Sequence, residues 1–330
     1  MKKCILLPVA LLAVLAIGGG AAVMTGALSA PELQAITNTW GDVDEERTEV
    51  HTSIVLHNPN NIGIGLGNAV LEVDILLNGV QVGQGSLDSV ELPQGESTTR
   101  LVTVIDNMTI PAWWATHVDN GEHTTVRIEP AFRASLFGRS LGVGVPSVER
   151  DVDTDVLASV HSDQPETFPF GPFTLTMKER EFEWGEVSGD STEIVGELVL
   201  HQDSPAPVAV SRLDFTFVMN EVTVAEATTS EPTVLPPDQD TRVPFSANVD
   251  NARLLEWWPT HIENDERTDY RVEVDMVLDV EETALSSGAL QDLRDALSGS
   301  TGSNGVRIPL DVIEFSDEFE TDILGSKGEE

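Results

Sequence analysis

The sequence predicts a mainly β protein: two tandem antiparallel, immunoglobulin-like β-sandwich domains, each with one short α-helix, preceded by an N-terminal transmembrane helix. Three observations predict it. An apolar stretch opens the chain, one residue pattern recurs at an offset of 144 positions, and each copy alternates with period two.

The opening stretch comes first. After Lys2 and Lys3, residues Cys4 to Leu28 contain no charged side chain, and about 20 apolar residues suffice to cross a bilayer. The positive-inside bias keeps the two lysines cytoplasmic and places everything after Ala30 outside. Residues 1–30 are therefore a single-pass anchor, with a cleaved signal peptide as the rival reading. Gly18, Gly19, Gly20, Ala21 and Ala22 would supply the small-residue cleavage site. Cys4 precedes the apolar run instead of ending it, so lipoprotein processing does not fit; S-acylation at the membrane face and an inert thiol both remain. As the single cysteine of the chain, it leaves no intrachain disulfide to form.

The repeat organises the remainder. Trp40-Gly41 returns as Trp184-Gly185, Leu56-His57 as Leu200-His201, Asp106-Asn107 as Asp250-Asn251, and Trp113-Trp114-Ala115-Thr116-His117 as Trp257-Trp258-Pro259-Thr260-His261. The copies end alike in Thr154-Asp155-Val156-Leu157 and Thr321-Asp322-Ile323-Leu324. This sets a first domain over 33–160 and a second over 173–325. A linker over 161–172 carries Pro165, Pro169, Gly171 and Pro172, which should break regular structure. The second copy is longer because of an insertion near 283–305, where Ala284, Leu285, Leu290, Leu293 and Leu297 form a partly helical pattern.

Within the first copy, Val50, Thr52, Ile54 and Leu56 alternate against His51, Ser53, Val55 and His57, and Ile194, Gly196, Leu198 and Leu200 take the matching face of the second. Leu71, Val73, Ile75 and Leu77 mark a further strand, after which Asn78-Gly79 is a type I′ hairpin signal. Thr98–Asp106 and Thr124–Ser135 supply two more strands. Helical pattern is shared by the copies over Thr109–Asn120 and Ala252–Asn264.

Charge limits the partners. The chain has 56 acidic against 18 basic residues, a net −38, with lysine confined to Lys2, Lys3, Lys178 and Lys327. At molar salt the Debye length falls to about 3 Å, so dense carboxylates hardly repel and instead hold water and cations. The composition suits an extreme halophile. Nucleic acid is excluded as a partner, since phosphate binding needs clustered Lys and Arg.

At His57-Asn58-Pro59-Asn60 a strand ends in a turn that proline and flanking amide side chains favour. A strand closing on Asn58, Pro59 and Asn60, then a hairpin and a later short helix, resembles the water stress and hypersensitive response domain of group 2 late embryogenesis abundant proteins. The resemblance covers nearly all of Leu33 to Leu157 and, more loosely, Phe173 to Leu324. The second copy departs from it, having His201-Gln202-Asp203-Ser204-Pro205 at the turn. What the resemblance implies is a β-sandwich with one helix, an association with desiccation or osmotic stress, and no catalytic residue.

Trp40 and Trp184 are repeated structural positions; the pairs Trp113-Trp114 and Trp257-Trp258 invite a ligand-stacking reading, but helical spacing favours side chains that seat each helix on its sandwich. His57, His201, His117 and His261 also repeat; without cysteine or a third fixed-spacing ligand they are expected to be structural, so no metal, cofactor or catalytic site is assigned. Gly63, Gly65 and Gly67 precede a strand, unlike a phosphate loop. Asn107-Met108-Thr109 is an N-glycosylation signal, with a helix-start role for Asn107 as the alternative. No Ser elbow, Cys nucleophile or His-Glu-x-x-His motif occurs. The expected function is non-enzymatic: a membrane-tethered stress-protective or binding module working through surface hydration. The alternative is an extracytoplasmic structural or ligand-binding protein for a lipid, an envelope polymer or a protein partner, which an apolar groove would favour.

Overall fold

In a computed structural model of the chain, the described residues are 29, 32–136, 139–144, 147–158, 160–170, 173–229, 232–281, 288, 305–309 and 313–325. The spanning segment expected over 1–30, apart from Ser29, and nearly all of the 283–305 insertion lie outside them. Among the described residues, no helix is long and apolar enough to cross a membrane. The chain divides into unit 1, comprising Met1–Thr154, Trp258–Arg267 and Glu320–Glu330, and unit 2, comprising Asp155–Trp257 and Thr268–Phe319.

Unit 1 is built on β1 (Glu32–Val43), β2 (Arg47–Asn58), β3 (Ile64–Leu77), β4 (Val80–Leu92), β5 (Gly95–Asp106), β6 (His123–Leu136), β7 (Arg139–Gly144) and β8 (Val148–Asp153). They form one antiparallel sheet in the order β1-β2-β5-β4-β3-β6-β7, with β8 also on β6. Where the sequence predicts a sandwich, the strands of this unit form one continuous curled sheet. The cause is a corner in β4, whose main partner is β3 but which meets β5 over Gly83, Gln84 and Gly85. A Cβ at Gly85 would lie 2.6 Å from the Thr103 hydroxyl and 2.9 Å from the Val102 carbonyl. Only glycine lets those backbones approach so closely.

Alternation decides which face is buried. Val50, Thr52, Ile54 and Leu56 of β2 point inward, joined by Leu71, Val73, Ile75 and Leu77 of β3 and by Leu101 and Ile105 of β5. Asn78 and Gly79 both take positive φ, 49° and 82°, which the type I′ turn requires. Helix α1 (Ile110–Asp119) follows a 3-10 turn over Asn107–Thr109 whose start is capped by the Asp106 carboxylate, accepting from Met108 N at 3.1 Å.

Unit 2 holds β9 (Glu166–Phe170), β10 (Phe173–Val187), β11 (Ser191–Gln202), β12 (Val208–Met219), β13 (Val222–Thr228), β14 (Thr233–Leu235), β15 (Asp240–Asp250), β16 (Arg267–Glu281), β17 (Gly305–Pro309) and β18 (Ile313–Glu320). Again one curled antiparallel sheet results, ordered β17-β16-β12-β13-β15-β11-β10-β9, with β14 on β12 and β18 on β16. Phe182, Phe215 and Phe245 pack with centroids 5.3–6.0 Å apart. Gly196 leaves the space that the Phe245 ring fills, since a Cβ there would sit 2.1 Å from it. Helix α2 is Leu254–Glu263. Residues 161–172, expected to lack regular structure, include β9, paired with β10. Pro169 is tolerated because β9 is an edge strand and the missing N–H can face away from the ladder.

Candidate functional site

The conspicuous polar residues gather at two places in unit 1, one near α1 and one at the opposite end of β2. Near α1, Trp113 is 5% exposed and its indole N–H donates to Thr124 Oγ1 at 2.9 Å. His117, one helical turn on, contacts Thr124 Oγ1 through Nδ1 at 2.8 Å and Thr154 Oγ1 through Nε2 at 2.9 Å. The Thr154 hydroxyl donates to Glu122 Oε2 at 2.7 Å.

These contacts fix every proton. Thr154 has one hydrogen, and it goes to the carboxylate, so His117 Nε2–H must donate to Thr154. A neutral imidazole then accepts at Nδ1 from the Thr124 hydroxyl, whose oxygen takes the indole proton of Trp113. Burial pushes the His117 pKa down to about 4, against a smaller upward pull from Glu122. The middle of this chain of bonds is sealed, His117 and Thr124 each being 2% exposed, while Thr154 at its end is half-buried. Its effect is to hold Thr154, where β8 has just ended, against α1 and β6.

The second helix has matching chemistry. In unit 2, Trp257 donates to Thr268 Oγ1 at 2.9 Å. In unit 1, His261 Nε2 meets Thr321 Oγ1 at 2.9 Å, Thr321 donates to Glu266 Oε2 at 2.9 Å, and Ile323 N donates to the same oxygen at 2.6 Å. Glu266 Oε1 accepts from the Trp40 indole at 3.1 Å. Glu122 and Glu266 both have positive φ, 59° and 60°, and are 6% and 1% exposed. Neither stands out in the sequence, where a lone acid after a helix reads as surface; the signal was their shared offset of 144.

Asn107 is fully buried: Oδ1 accepts from Thr48 Oγ1 at 2.9 Å and Nδ2 donates to Asp44 O at 2.7 Å. Asn251 does the same with Thr192 Oγ1 and Ser188 O in unit 2. The helix-start cap expected of Asn107 is supplied by Asp106; Asn107 instead ties the turn to the β1–β2 connection, and the amide that glycosylation would modify is buried and engaged.

At the far end of β2, Asn58 Nδ2 donates to Ile62 O and Leu92 O, both at 3.0 Å, and its Oδ1 accepts from Asn60 N and Nδ2. In unit 2, Gln202 makes the corresponding bonds, Nε2 to Ala206 O and Leu235 O and Oε1 from Ser204 N at 2.7 Å. The departure of the second copy from Asn-Pro-Asn is therefore conservative in chemistry. A buried amide still staples the turn to the next hairpin.

The remaining singled-out residues do not join these clusters. His57 is half-buried on β2. His201 lies 2.8 Å from Asp240 Oδ1, whose carboxyl is held below its usual range chiefly by Lys178. Trp184 lies on β10, opposite Ile194 of β11. Among the described residues, no three His, Cys, Asp or Glu side chains converge as metal ligands would. An apolar cavity inside unit 1, bordered by Thr52, Ile75, Leu101 and Trp258, measures about 40 Å³. That is far below the 300–1,000 Å³ typical of small-molecule pockets.

Residues 203–281, from the Gln202-stapled turn through β16, match the family model for late embryogenesis abundant protein. That is the family this chain is similar to. The match falls on the copy without Asn-Pro-Asn, where the fold of the turn is kept by Gln202 and Ser204. An uncharacterized protein of Methanocaldococcus jannaschii is 23% identical over 163 residues, covering 48% of this chain and 86% of that one. Among solved structures, a protein from Archaeoglobus fulgidus is 27% identical, covering 44% of this chain and 98% of the other at a TM-score of 0.35. The solution structure of an Arabidopsis thaliana protein is 16% identical, covering 48% and 87% at a TM-score of 0.29.

Proposed function

We propose that the chain carries two copies of a late embryogenesis abundant domain, anchored by residues 1–30 in the membrane of a halophile and held outside the cytoplasm. There it acts without turnover as a protective or binding module under osmotic or drying stress. The observation that carries this reading is the division of polar chemistry. His117, His261, Trp113 and Trp257, on the helices, are spent on buried bonds, while the strands' outward faces carry the acids. On β10, for example, Glu179, Glu181 and Glu183 are solvent-facing or half-exposed. Such carboxylates retain water and cations in molar salt. The family match over 203–281 and the charge-free Cys4–Leu28 stretch support the same reading.

The test is a drying assay. The full-length chain in phosphatidylglycerol vesicles, with a labile client enzyme inside or alongside, is dried from molar KCl and rehydrated. Retained client activity and vesicle integrity should exceed those with an equal mass of albumin. Retention no better than albumin would refute the protective function. Protease added to intact cells tests the location separately and should degrade both units.

A further inference from the structure

The two ends of unit 1 differ in character. β2 and β5 are antiparallel, with Arg47 opposite Asp106 and Asn58 opposite Gly95. At ~3.3 Å per residue their ends lie about 36 Å apart. The Arg47 end carries Asp42, Asp44, Glu45, Glu46 and Asp106. At the Asn58 end, no charged residue occurs from Asn58 to Leu71. The paired ends of β6 and β7 lie at this end too, because Ala69 pairs with Ala134 and Leu136 with Arg139. Between Arg133 and Glu149 the single charge is Arg139, a cation. Three exposed acids, Glu32, Glu91 and Glu96, do lie at this end, on strands opposite His57, Gly65 and His57, but none is in its loops. In a protein of net −38, loops so free of acid are a local exception.

The chain also enters the fold here. Asn60 grips Ser29 with two bonds, Ser29 N to Oδ1 at 2.7 Å and Nδ2 to Ser29 O at 2.8 Å, and is itself braced by Asn58. Ser29 directly follows the charge-free Cys4–Leu28 stretch. Two residues past Asn60, Ile62 is 58% exposed, with Asn61 and Gly63 exposed on either side.

We propose that the Asn58–Gly63 loop is a membrane-docking surface, its tip entering the headgroup–acyl boundary with Ile62 leading, beside the point where the N-terminal segment meets the bilayer. The proposal rests on the anchoring reading above. A carboxylate is costly to strip of water whatever the salt concentration, so a loop that carries none is the part that can enter the boundary, and its apolar tip gains from leaving water. The bonds from Asn60 to Ser29 hold that end toward the lipid.

The test uses the full-length chain with Cys4→Ser, carrying either Ile62→Cys or Met108→Cys labelled with an environment-sensitive fluorophore. Met108 is a matched control, 62% exposed just beyond Asp106 at the opposite end of the unit. Both are reconstituted in phosphatidylglycerol vesicles in molar KCl. The expected result is a blue-shifted emission from the Ile62→Cys probe, with several-fold stronger quenching by spin-labelled acyl chains than the Met108→Cys probe, which iodide quenches instead. Equal iodide access at the two positions in protein that floats with the vesicles overturns the docking surface and leaves the anchor standing. Protein that does not float removes both.

Discussion

Acid should destabilise unit 1 through His117. The imidazole is held neutral by a chain in which each hydroxyl donates once. A second ring proton would have to donate to Thr124 Oγ1, which already receives the Trp113 N–H. The folded pKa is about 4 and the ordinary value 6.5. Because the folded value is the lower, the unfolded chain takes up the proton first as pH falls. Stability is therefore intact above 6.5, declines between 6.5 and about 4, and loses no more below that. At ~1.4 kcal/mol per pH unit the full loss is about 3 kcal/mol. Other groups titrate over the same range, so the measurement is a difference. Urea unfolding in molar KCl, followed by tryptophan fluorescence, compares the parent with His117→Gln. At neutral pH the variant should be less stable by about 1–2 kcal/mol for its lost hydrogen bonding. Near pH 4 that gap should close or invert. Parallel pH dependences for the two proteins would refute the buried, neutral assignment.

Trp113→Ala or Trp257→Ala should cost about 3–5 kcal/mol, read by chemical denaturation, since each removes a buried indole and leaves a threonine hydroxyl without its donor. Gly85→Ala should destabilise by about 1–3 kcal/mol, because its Cβ meets the Val102 carbonyl. Gly189→Ala, with nothing within 4 Å, should leave the melting temperature almost unchanged. Melting temperature should fall as KCl is lowered from molar to millimolar, since the self-repulsion of a net −38 is then unscreened; a flat series would remove the halophile argument.

The local structure was legible where side-chain pattern and backbone demand coincide. Alternation placed Val50, Ile54, Leu56, Leu71 and Val73 in the core, and Asn78-Gly79 specified its turn. The curl was not legible, because it depends on two backbones meeting at Gly83 and Gly85, and a missing side chain carries no hydrophobic signal. β9 was hidden by Pro169, which breaks interior strands but not an edge. At the turns the residue itself changes, Asn58 in the first copy and Gln202 in the second, which conceals the kinship. The shared property is a buried amide with one acceptor and two donors. Glu122 and Glu266 were invisible singly because acids are usually solvated; their burial depends on hydroxyl and indole donors brought from distant strands and on a left-handed backbone.

β15 shows what the alternation permits. Val243, Phe245, Ala247 and Val249 face inward while Arg242, Pro244, Ser246 and Asn248 face outward. Each strand of this kind is two interleaved texts, one addressed to the interior and one to the solvent. The second can be rewritten with little effect on the first, so the same scaffold can pass between brine and fresh water by edits confined to every other residue. A chain with its outward acids exchanged for neutral or basic residues, and its glycine corners and amide staples untouched, should keep this architecture in dilute buffer.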